Sequence, residues 1–236
     1  MDPLLDELLR FSQKARNFCA EFVTTHNRLA KGQAVNELFL VPSLILSRAI
    51  RHHDAIELLL RNGFTAEASV IGLTQFELCL DVLYIRDTVT RATEWMKHSS
   101  DRFSPWKVKD KIDDIWANDR EMRESKQGYF ELLSSVKHGN PKAGLFGFPA
   151  RVVSNSFTIT NDQFADVFSR GHAIAVGGVC TYQLVESLQG ASAAFGCFVR
   201  LDPDLDVERG SLLQECRREI GKAMHSVGLV KSKTLH

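Results

Sequence analysis

Apolar residues near the start of the chain recur in steps of four and three: Leu4, Leu8, Phe11, Ala15, Phe18 and Phe22. This spacing predicts an amphipathic helix with one buried stripe. Asp2 followed by Pro3 reads as an N-cap and first helical position, and Lys31-Gly32 reads as the end, so the helix spans about 2–31. A second stripe, Leu46, Ala49, Ile50, His53, Ile56 and Leu60, predicts a helix opened by Pro42-Ser43 and closed by Arg61-Asn62-Gly63. From Ala66 to Ile85, after Thr65 as N-cap, the residues are apolar nearly all round the wheel. Such a helix belongs at the centre of a bundle.

The pattern turns polar from Thr88 to Asp114, predicting a helix to about His98, a loop through Ser99-Ser100-Asp101, and a short helix from about Lys107 to Trp116. A fourth major helix is expected from about Asn118 to Lys137. Its inward residues are Met122, Tyr129, Leu133 and Val136, and it stops at His138-Gly139-Asn140-Pro141. Val152-Val153 and Phe157–Thr160 flank Ser154-Asn155-Ser156 and predict a small β-hairpin that needs helices to pack on. A long helix follows from about Gln163 to Phe198, its Gly171, Gly177 and Gly178 permitting close helix contact. Asp202-Pro203 reads as a break, and a last helix runs from about Val207 to Ser226 before a basic tail, Lys231 to His236. The expected architecture is an all-α bundle with a small hairpin. It forms one domain over 1–236, with a core at about 40–200 flanked by terminal helices 2–31 and 207–226.

Composition narrows the function classes. With 44% hydrophobic and 25% charged residues in 236, the chain is a folded domain rather than a disordered one. Lys plus Arg number 29 and Asp plus Glu number 29, so the net charge is zero. A dedicated DNA binder carries a basic excess, so strong DNA binding is not expected. The basic residues that do gather are Arg217, Arg218, Lys222, Lys231 and Lys233. No apolar run approaches the roughly 18–20 residues that span a bilayer, so no membrane role is expected. The acidic start and five scattered cysteines without C-x-x-C predict a cytoplasmic, reduced protein. No P-loop, G-x-G-x-x-G or G-x-S-x-G is present, and no cofactor is expected.

Three constellations carry candidate chemistry. Thr74, Glu77, Asp81 and Tyr84 form one polar stripe on the apolar third helix. Buried carboxylates need partners or a wet cleft, so the stripe is either a binding pocket or a paired structural network. His53 and Glu57, at i and i+4 on the second helix, would with Glu77 and Asp81 give an imidazole/carboxylate set. No Glu-x-x-His pair or His-Glu-x-x-His accompanies them, and the expected metal count is none. Tyr129, Leu133, Ser134, Ser135 and His138-Gly139 end the fourth helix, where His138 is either an acid/base or phosphate group or simply a cap on the last carbonyls.

Gly63, Glu67 and Ala68, then Glu77 and Tyr84-Ile85, and later Tyr129, Leu132 or Leu133, Ser134 and His138-Gly139 resemble an uncharacterised, mostly bacterial helical family. That family, a domain of unknown function, looks related to the HEPN (higher eukaryote and prokaryote nucleotide-binding) bundles. The resemblance covers roughly residues 40 to 200 and implies a HEPN-like bundle. The family's usual Arg falls at Leu73, so Glu77 must find another partner. HEPN ribonucleases resemble one another in an Arg followed after four to six residues by a His. Arg48…His53, Arg91…His98 and Arg218…His225 all fit so loose a spacing, and none ends at His138.

Three functions follow as expectations. The first is a non-catalytic helical module binding a protein partner or RNA in a bacterial stress or defence context, with Glu77, Asp81, Tyr84, Tyr129 and His53 as binding candidates. The second is a HEPN-type, metal-independent ribonuclease, a homodimer with His138 as catalyst. The third is a metal-dependent hydrolase built on His53, Glu57, Glu77 and Asp81.

Overall fold

The structure, a computed structural model, describes residues 2–98, 104–137, 150–153, 156–159 and 167–227. Among these the elements are α1 (Pro3–Leu29), α2 (Glu37–Arg61), α3 (Thr65–Ile85), α4 (Val89–Lys97), α5 (Val108–Ile115) and α6 (Arg120–Lys137). They continue with β1 (Ala150–Val153), β2 (Ser156–Ile159), α7 (Val167–Gly196) and α8 (Pro203–Ser226). The architecture is all-α. The two short strands pair antiparallel, with Val152 opposite Phe157. Ser154 and Asn155, expected between the strands, His138, residues 160–166 and the Lys231–His236 segment lie outside the described residues.

Two helices form the axis. α3 and α7 are apolar around most of their circumference and pack on each other, with α2 against both, α1 and α8 over α7, α5 and α6 around α3, and α4 mainly against α2. One close approach sets the α3–α7 spacing. A Cβ on Gly190 would stand 2.6 Å from the Val82 carbonyl oxygen, so only glycine lets the two backbones meet there. Gly178 gives α8 the same access: a Cβ there would lie 2.9 Å from Ile220. By length and composition α3 is apolar enough to cross a membrane, contrary to the expectation that no run is. In this fold it is the central core helix, most of it buried inside the bundle.

Element starts show where local rules governed and where packing overrode them. Asp2 accepts from the backbone N–H of Leu4 and Leu5, as its sequence signature requires. Asp202-Pro203 does the same for α8, with Asp202 accepting from Asp204 and Leu205. The pair is therefore a helix start and not a break, and α8 begins four residues before Val207. α2 begins at Glu37, capped by Asn36, so that Pro42 sits inside it rather than at its head. An internal proline forfeits a backbone bond, but Leu38, Phe39 and Val41 are buried by the extra turn and outweigh it. Thr65 is the first helical residue of α3 and not its cap. Phe64 holds the cap position without a side-chain bond.

Candidate functional site

The polar stripe of α3 divides between two surroundings. Asp81 is completely buried and fully engaged. Its Oδ1 accepts from Lys111 Nζ at 2.6 Å and from Ser104 Oγ at 2.9 Å, and its Oδ2 from Trp95 Nε1 at 3.1 Å. Lys111 is itself fully buried. The periphery is thereby fastened to α3, because Trp95 comes from α4, Lys111 from α5 and Ser104 from the segment before α5. One turn on, half-buried Tyr84 lies under the Arg91 guanidinium, 3.8 Å from its ring centroid, and meets Trp106 edge-on at 4.9 Å. Arg91 also donates to the Tyr84 carbonyl and to Asp114.

Glu77, one turn before Asp81, is only half buried and faces an open cleft of about 1060 Å³ between α3, α5 and α6. Trp106 and Phe130 supply aromatic lining, Ile112 and Val108 aliphatic lining. Lys107 and Lys109 stand at the start of α5, and Arg120 and Arg123 at the start of α6. Asp113 and Glu124 join Glu77 as the acidic lining, and Glu124 is paired to Arg120 at 2.7 Å. The cleft therefore presents ring surface beside cations carried by two helix starts.

His53 lies elsewhere. It is buried against α1 and α7, its Nε2 2.7 Å from Ser12 Oγ, which is 2.9 Å from Thr181 Oγ1. Thr181 spends its proton on the Gly177 carbonyl, so Ser12 must donate to Thr181 and accept from His53 Nε2–H. The imidazole is thus a donor into a closed chain, not a base towards Ser12. Burial pushes its pKa down to about 4, so it is neutral near pH 7. Glu57 is held by its own neighbour Arg61 at 2.7 and 2.9 Å. His53, Glu57 and Asp81 are thus each committed to different partners. Among the described residues no group of three His, Cys, Asp or Glu is placed to hold a metal. The proposed imidazole/carboxylate set does not assemble. Arg48 is exposed while His53 is buried, so their spacing does not make a shared site either. His138 lies outside the described residues.

Tyr129 sits on the opposite side of α6 from the cleft, edge-on to Tyr182 at 6.4 Å. It borders a second buried ion pair that sequence reasoning missed. Lys126 Nζ donates to Glu186 Oε2, and Tyr182 Oη donates to Glu186 Oε1 at 3.1 Å. Arg217 donates to Tyr182 Oη at 3.3 Å. The Lys126 ammonium lies 4.4 Å from the Tyr182 ring, 4.9 Å from Trp116 and 5.5 Å from Tyr129. Burial pushes the Lys126 pKa down, and the Glu186 carboxylate opposes that shift. The signal was present: Lys126 falls between Met122 and Tyr129 on the inward spacing of α6, and Glu186 interrupts an apolar helix as Asp81 does. Four cysteines, Cys19, Cys79, Cys180 and Cys216, are buried. Burial raises their thiols, that of Cys79 to about 12, so none is poised as a nucleophile.

Of the residues singled out from sequence, the fold brings Glu77 to the cleft and Tyr84 to its edge through Trp106. It commits Asp81, His53 and Tyr129 to the interior. Compared with known proteins, the chain matches no protein-family model, no curated protein and no solved structure.

Proposed function

We propose that the chain is a cytoplasmic, HEPN-like helical module of a bacterial stress or defence system that binds RNA without cleaving it. The observation that carries this is the division of its ionisable groups. Of the carboxylates and imidazoles that sequence and structure single out, Asp81, Glu186, Glu57 and His53 are spent on internal partners, and Glu77 alone of the α3 pair lines the cleft. The cations beside the ring surfaces of the cleft, Lys107, Lys109 and Arg123, make no ion pair among the described residues. Aromatic rings next to a basic edge are the means by which proteins hold nucleic acid without reading its sequence. The HEPN-like part rests on the sequence pattern from Gly63 to Tyr84 and from Tyr129 to His138.

The test is fluorescence anisotropy of a labelled 12-nucleotide single-stranded RNA, with the same RNA run on a denaturing gel after incubation. Saturable binding with the RNA left intact is the expected result. Cleavage by the wild type that His138→Ala abolishes would replace this function with the ribonuclease. Absence of binding would replace it with a module for a protein partner.

A further inference from the structure

We infer that the α3–α5–α6 cleft takes a short single-stranded segment, its bases on Trp106 and Phe130 and about three phosphates on Lys107, Lys109 and Arg123. This rests on the RNA reading above and specifies the strand state, the footprint and the residues. Three independent observations point the same way.

The first is the ring surface. Trp106 is fixed by its Nε1–H to Glu94 at 3.2 Å and by its edge contact with Tyr84. Phe130 is held against Phe76 with ring centroids 6.4 Å apart. Both rings are therefore oriented before any ligand arrives, while still lining an open space. A duplex keeps its base faces stacked on one another, so only an unpaired strand can use such rings. The second is size. A cleft of about 1060 Å³ is at the upper end of pockets that enclose small ligands and is far short of a duplex-spanning surface.

The third is charge. Arg120 is already paired with Glu124, which leaves Lys107, Lys109 and Arg123 for phosphates. Lys107, Val108 and Lys109 also form the beginning of α5, whose first turn has no side-chain cap. Its free N–H groups add a positive end to the same edge of the cleft. Asp113 and Glu77 stand among these cations and hold the affinity down. A footprint of three phosphates on a single strand gives a slope of log K against log salt of about −2.

The experiment uses the full chain, a labelled oligouridylate and oligoadenylate of 12 nucleotides, and a labelled 12-base-pair RNA duplex. Single strands are expected to bind at least tenfold more tightly than the duplex. Raising salt from 50 to 200 mM is expected to weaken binding roughly 15-fold. Trp106→Ala is expected to cost about tenfold, Trp106→Phe much less, because phenylalanine still offers a ring face. Lys109→Ala and Arg123→Ala are each expected to reduce the salt slope by about 0.7. Circular dichroism of each variant separates loss of binding from loss of fold. Equal binding of duplex and single strand would overturn the strand assignment and leave RNA binding standing. Single-strand binding that Trp106→Ala, Lys109→Ala and Arg123→Ala all leave unchanged would overturn the site. No binding of any RNA would overturn this inference and the function it rests on together.

Discussion

Helix α6 has two sides with opposite fates. On one, Lys126 is wholly buried, clamped to Glu186 and ringed by Trp116, Tyr129 and Tyr182. On the other, Arg120, Arg123, Gln127 and Phe130 line an open cleft. α3 repeats the contrast within one turn: Asp81 is closed in by Lys111, Ser104 and Trp95, while Glu77 faces the cleft. A charge removed from water must be matched atom for atom, because its desolvation is otherwise unrecovered. A charge that keeps its contact with water adds little to stability. The buried side therefore holds the bundle together, and the open side is where a partner can act.

The sharpest break of this contrast is to remove half of a buried pair. Glu186→Ala leaves Lys126 charged and unpartnered, and Asp81→Ala does the same to Lys111. Each is expected to destabilise by about 3–5 kcal/mol, read as a lowered urea midpoint. The joint replacement Lys126→Met with Glu186→Leu should recover most of that loss, because no unmatched charge remains. If the single variants unfold at the wild-type midpoint, the buried side is not what secures the fold.

Acid comes next. His53 and His172 both have pKa values lowered by burial to about 4, against about 6.5 in an unfolded chain. The unfolded state takes up protons in that interval and the folded state does not. Stability is therefore complete above about pH 6.5 and falls as pH drops towards 4, by up to about 3 kcal/mol for buried His53. Urea titrations at pH 7 and pH 5 should show the decline, and His53→Gln should reduce it, leaving the part that His172 contributes.

Gly190→Ala tests the α3–α7 contact that carries both networks. A methyl group cannot share space with the Val82 carbonyl, so a loss of about 1–3 kcal/mol is expected in thermal unfolding. The smallest effect belongs to the open side. Arg123→Ala should change stability by no more than about 0.5 kcal/mol, with a melting temperature near that of the wild type. Its consequence should appear in RNA binding alone, and a large stability loss would show that the cleft edge is structural after all.

Much of the fold was legible along the chain. The apolar stripes of α1 and α2, the all-round apolar α3 and the stop at Gly63 are local signals, and each appears where its spacing puts it. The errors came where a local rule met a competing packing term. Pro42 reads as a helix start by itself, but burial of Leu38, Phe39 and Val41 carries α2 back to Glu37. Asp202-Pro203 carries the same cap signature as Asp2-Pro3, and it opens α8 as the first pair opens α1. For the candidate site, the spacing of Thr74, Glu77, Asp81 and Tyr84 located one stripe but could not tell which carboxylate was buried. Lys126 stood on the inward spacing of α6 with Met122 and Tyr129, but neither it nor Lys111 showed which carboxylate it would meet, because a lysine's partner across the bundle leaves no mark on its own neighbours in sequence.

The sequence by itself determined the helices, their buried faces and the all-α class, since hydrophobic periodicity and caps act within a few residues. Only the tertiary structure decided which charges were neutralised and which were left open. Asp81 meets Lys111 from thirty residues away and Glu186 meets Lys126 from sixty. Desolvation and Coulomb energy depend on distance in space, and the chain reveals that distance only once α3, α5, α6 and α7 have packed.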